Sequence, residues 1–130
     1  MLGPWHTHVQ FQERLEKQLA ELLPQKENQI MYHADALEKV YIMNLDPVKE
    51  LVMYCYSNTG RPALNQPEIF RAVAQSSHYK ESISSFVDRL KADDILALAC
   101  GFEAGSLPGV GSFYDLFNRL WLEYAPAKVV

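Results

Sequence analysis

A chain of 130 residues with 12 basic and 16 acidic side chains, net −4, has room for one modest hydrophobic core. With 48% hydrophobic and 22% charged residues it reads as globular rather than disordered. The acidic balance also argues against a strongly basic nucleic-acid binder, although a local basic patch can act within an acidic chain.

From Val9 to Leu23, apolar residues recur at Phe11, Leu15, Leu19 and Leu22, the spacing of one helix face, and Pro24 closes the pattern. A second helix is expected from about Asn28 to Met43, with Ile30, Ala34, Leu37 and Tyr41 on one side. Asp46 followed by Pro47 has the form of a cap and first turn. The helix it opens carries Val48, Leu51, Val52 and Cys55 and ends at the turn cluster Ser57-Asn58-Thr59-Gly60.

Asn65 is a candidate cap for a helix over 66–77 with Ile69, Phe70 and Val73 inward. Ile83, Phe86, Val87 and Leu90 define the next helix, and Asp93-Asp94 start a short one through Ile95, Leu96, Leu98 and Ala99. Gly101 stands where a C-terminal capping glycine belongs. Ser112 and Asp115 have capping-box spacing, so the last helix is expected from Phe113, facing inward through Phe113, Leu116, Phe117 and Leu120. No alternating strand pattern, internal repeat or low-complexity tract interrupts the series. The expected fold is all-α, a compact bundle of six or seven short helices with a helix-turn-helix-like character.

The glycines of the 101–111 stretch do not form a phosphate loop. Gly111 is followed by Ser112-Phe113 with no lysine, and the element before the loop has helical rather than strand pattern. They read as turn devices, and Gly101 and Gly111 are expected to resist substitution for backbone reasons. His6, His8, His33 and His78 lack metal-ligand spacing and read as surface histidines. Cys55 and Cys100 read as reduced, buried small hydrophobes. No catalytic residue, metal ligand or cofactor motif stands out, and MLGPWHTH has no secretory-leader pattern. No apolar run reaches the roughly 20 residues of a membrane span. The expectation is a cytoplasmic chain with no membrane partner and no cofactor. Between Ser57 and Ala92, Arg61, Arg71, Lys80, Arg89 and Lys91 outnumber Glu68, Glu81 and Asp88, a modest local excess of positive charge.

Read as a unit, Gly60-Arg61-Pro62, the helix ending near Lys80, SISSFVDRLKADDILALACGF and PGVGSFYDLFNRLW resemble the N-terminal region of bacterial insertion-sequence transposases of the Asp-Asp-Glu type. The resemblance rests on Gly60, Arg61 and Pro62; on Asp93 and Asp94 with Ile95, Leu96 and Leu98; on Gly101-Phe102; and on Pro108, Ser112, Phe113, Phe117, Arg119 and Leu120. It spans Gly60 to Trp121, about half the chain. Gln75, Ser76, Ser77 and His78 depart from the strongly apolar helix usual in that family.

The resemblance implies a helical preamble over 1–58 and a transposase-like helical region over 59–125, together one compact domain. It also implies a DNA-associated module that contributes to transposon-end binding and stops short of the catalytic domain. Arg61, Arg71, Lys80, Arg89 and Lys91 are then the expected phosphate contacts. The alternatives are a helical interaction module without DNA binding, self-associating through Phe113, Phe117 and Trp121, or a non-functional remnant.

Overall fold

A computed structural model describes residues 2–56, 64–103 and 106–124; of residues 55 and 121–124 it describes the backbone alone. Among the described residues the chain is all-helical: α1 (His8–Tyr32), α2 (Ala34–Ile42), α3 (Asp46–Val52) with a 3-10 turn (Met53–Cys55), α4 (Gln66–His78), α5 (Ile83–Ala92), α6 (Asp94–Cys100) and α7 (Val110–Tyr124). The all-α expectation holds, with seven α-helices and no strand among the described residues.

The first helix begins at a capping box. The Thr7 hydroxyl accepts from the Gln10 amide, and the Gln10 side chain accepts from the Thr7 amide. Pro24 does not end it. The helix instead runs on for 25 residues with a kink at Lys26, whose φ of −127° and ψ of 27° are non-helical. Proline removes one backbone donor and crowds the preceding turn, which bends a helix that packing holds on both sides. Phe11 and Leu15 are buried as expected, while Leu19 and Leu22 are half-buried.

The second expected helix is in fact two, divided at His33, which ends α1 and precedes α2. The break rotates the inward face. Ala36, Leu37 and Val40 are buried, whereas Ala34 is exposed. Asp46 also differs from expectation: Leu45 occupies the capping position, and the Asp46 carboxylate accepts the His8 amide at 2.9 Å. That bond ties the start of α1 to the start of α3.

The short helix α6 organises the interior. Its sequence DILALAC is apolar on nearly every side, the pattern of a helix surrounded by protein. Leu96 and Cys100 join a cluster with Ile69, Ala72, Phe86, Leu90, Phe102 and Phe113. Ile95 and Ala99 join a second cluster with Phe11, Leu15, Ile30, Leu37 and Val40. The two clusters therefore meet along one seven-residue helix, and the larger one also takes in Trp5, Leu45, Val52 and Tyr56 from the first half of the chain. Asp93 caps it, its Oδ1 accepting the Leu96 amide at 3.1 Å, and Gly101 ends it in the left-handed region at φ 99°.

The final helix starts earlier than expected. It begins at Val110, so Ser112 lies inside the first turn rather than at the cap. Asp115 makes an ion pair with Arg119 one turn on, at 3.1 Å, in place of a capping contact. Phe113 and Leu116 are buried against the larger cluster, with Phe117 and Leu120 packed at its edge.

The polar run in α4 is accommodated rather than disruptive. Gln75 is buried and donates to the Ala36 carbonyl at 2.7 Å, joining α4 to α2. The Ser76 hydroxyl donates to the Val73 carbonyl at 2.7 Å, and the Ser76 carbonyl accepts the Glu81 amide at 2.9 Å where the chain turns towards α5. These bonds offset part of the cost of burial, although Gln75 Oε1 is buried without a partner.

Candidate functional site

The five cations expected to contact phosphate do not share one environment. Arg61 lies outside the described residues. Arg71 is 4% exposed, so its assignment as a surface phosphate contact is corrected. Its guanidinium lies 3.6 Å from the centre of the Phe11 ring, donates to the Cys100 carbonyl at 3.4 Å and forms part of the seam between α1, α4 and α6. Burial pushes it down to about 10, opposed chiefly by the neighbouring Glu68 carboxylate, so it stays charged at neutral pH.

Arg89 is half-buried, ion-paired with Glu81, and sits 4.3 Å over the Tyr79 ring. It closes the α4–α5 turn. Lys80 and Lys91 are exposed as expected. Lys80 adopts φ 57° at that same turn, and Lys91 lies 3.9 Å from Asp88 on the surface of α5. Of the four described cations, two are thus committed inward and two point to solvent. In sequence the four look alike, because an arginine on an apolar face can be read as a snorkelling surface residue. The distinguishing signal is Arg71's position between Ile69 and Ala72, both fully buried.

The reading of His33 as a surface histidine is also corrected. It is 2% exposed, with both ring nitrogens engaged. Nε2 is 2.6 Å from Asp93 Oδ2, and Nδ1 is 2.6 Å from the Tyr79 hydroxyl. The Asp93 carboxylate fixes the Nε2 proton, so in the neutral ring Nδ1 accepts from Tyr79. Burial raises the Tyr79 pKa and keeps that hydroxyl protonated. Carboxylate, imidazole and hydroxyl stand in the order of a nucleophilic triad. Yet the imidazole is enclosed, and each nitrogen is spent on joining elements: the α1–α2 junction to the end of α4 and to the cap of α6. The spacing Ile30, His33, Leu37 puts His33 on the buried helical face, the signal that surface composition obscures.

Of the residues expected to self-associate, one is withdrawn from the surface. Phe113 is buried and Phe117 packs at the edge of the core; the Trp121 side chain is outside the described set. On α7 the neighbouring Tyr114 is exposed, and further exposed apolar residues include Met31 and Tyr32 and the run of Leu51, Met53 and Tyr54. Cys100 is fully enclosed, and burial pushes its thiol up to about 12, which makes it an inert packing group. Among the described residues no group of three or more His, Cys, Asp or Glu is placed to hold a metal ion.

No helix among the described residues is long and apolar enough to cross a membrane. Compared with protein-family models, curated proteins and solved structures, the chain gives no match.

Proposed function

We propose that this chain is a non-catalytic, DNA-associated helical module of the kind found at the N-terminus of Asp-Asp-Glu transposases, contributing to transposon-end binding. The observation that carries the reading is the coincidence between the residues that resemble the family and the packing unit around α6. Asp93 caps the helix, Ile95 and Leu96 fill both clusters, Gly101 makes the left-handed turn, and Phe102 and Phe113 seal it. The residues that carry the resemblance thus lie in one packing unit rather than scattered over the surface, which is what supports the reading.

In this reading the described phosphate contacts are Lys80 and Lys91, with Arg61 retained from the sequence. Arg71 and Arg89 serve the fold. Two exposed lysines on a chain of net −4 give weak attraction that salt screens readily. Fluorescence anisotropy of labelled duplex DNA tests this. Binding at low salt should fall at least severalfold in Lys80→Glu/Lys91→Glu with unfolding unchanged. Equal binding by that variant would remove these lysines from the interface.

A second reading is favoured by a different observation. Leu51, Met53 and Tyr54 are 57%, 47% and 73% exposed within four consecutive positions, an apolar stretch suited to a protein partner. It predicts concentration-dependent sedimentation if that partner is a second copy. A monomer across the accessible concentration range, unaltered in Tyr54→Ser, would argue against self-association.

A further inference from the structure

The start of α4 opens into a cleft of about 250 Å³ whose walls include His6, Arg14, Asn65, Glu68 and Glu103. Below it lies a pit of about 10 Å³ that shares His6, Arg14, Glu68 and Gly101 with the cleft and reaches Arg71. That volume is close to what a single water requires.

Three features of this place are unspent. Asn65 holds the capping position in the left-handed conformation at φ 67°, and its side chain gives this 13-residue helix no cap bond. Arg71, although buried, has no partner for its Nε. Arg14 has a single loose ion pair, 3.4 Å from a Glu103 carboxylate that is itself 72% exposed. Glu68 opposes them from within, with its Oε2 unpartnered and its carboxylate turned back on its own backbone amide. Since Glu68 offsets Arg71, the charge left to attract a ligand comes from Arg14, His6 and the helix terminus.

We propose that this cleft binds a phosphate-type oxyanion, which displaces Glu103 from Arg14, caps the first turn of α4 and reaches Arg71 Nε through a water in the pit. The inference stands whether or not the chain meets DNA. A small phosphate monoester and a backbone phosphodiester offer the same oxygens, and the cleft recognises that shared chemistry.

Once inorganic phosphate is already a monoanion, further acidification should strengthen binding. Burial raises the Glu68 pKa, so its carboxylate is neutralised earlier than an exposed one, and the protonated carboxyl then donates a hydrogen bond to the anion. Arg71, held at about 10, stays cationic over this range.

Amide NMR of the full chain during titration with inorganic phosphate tests the proposal. Saturable shifts are expected at Gln66 and Glu68, with binding weakened at least tenfold in Arg14→Ala and unchanged in Lys39→Ala, an exposed lysine on α2. Glu68→Gln, which removes the opposing charge, should bind more tightly and with a flatter pH dependence. Competition between duplex DNA and phosphate would identify the DNA backbone as the source; phosphate binding without competition would identify a small phosphorylated ligand. Absence of shifts at millimolar phosphate, or equal affinity in Arg14→Ala, would overturn the proposal.

Discussion

Gly101 shows how a single residue serves two constraints at once. Its φ of 99° is left-handed, and a Cβ there would stand 3.1 Å from Arg71 Nη1 and 3.3 Å from Glu68 Cγ. Gly101→Val should therefore cost about 2 kcal/mol or more in denaturant unfolding, through backbone strain and displacement of the buried guanidinium. An unchanged midpoint would contradict this. Gly111 differs from expectation: a Cβ there meets nothing within 4 Å, so Gly111→Ala should be tolerated. The sequence marks both as turn glycines, but only the fold shows which one has a neighbour. His33 carries the complementary lesson. His33→Ala should cost about 2–3 kcal/mol, because it leaves the Tyr79 hydroxyl and one Asp93 oxygen without their partner and opens a cavity. His78→Ala, at a half-buried site, serves as the control and should change little.

Among the elements, the periodic ones were the most legible. The α5 face of Phe86, Val87 and Leu90 is inward as its spacing requires, and α6 lies where Asp93-Asp94 and Gly101 bracket it. Boundaries governed by contacts distant in sequence were not legible. Pro24 carries the usual signal of a helix end, yet α1 continues past it because the second cluster holds Ile30 as well as Phe11 and Leu15. Asp46 has the right chemistry for a cap, but the His8 amide, 38 residues away, claims its carboxylate. Where the cap is local, its effect can be stated in advance. The Ser82 hydroxyl accepts the Ser85 amide at 3.2 Å, and Ser82→Ala should lower stability by about 1 kcal/mol, with Ser82→Asp restoring it. A neutral alanine variant would show that the α4–α5 turn fixes the start of α5 without this bond.

At the scale of the whole molecule, the helical series and most of its inward faces were within reach of pattern reading, whereas the division into two clusters and the placement of charge were not. Counting cations between Ser57 and Ala92 suggests a basic face. Burial removes Arg71 from it, and pairing with Glu81 over the Tyr79 ring commits Arg89 to a turn. Composition cannot separate a lysine facing water from an arginine that joins three helices, because that distinction arises only when α1, α4 and α6 come together. The same assembly brings Arg14 of α1 beside the start of α4 and the pit that reaches Arg71, although α1 and α4 lie far apart in the chain.

The central claim is the DNA-associated role, and anisotropy with labelled duplex DNA at low and physiological salt tests it most directly. The account predicts saturable binding at low salt that weakens steeply as salt rises and is reduced at least severalfold in Lys80→Glu/Lys91→Glu. No binding by the folded chain at low salt would contradict the claim and leave the protein-interaction reading in its place.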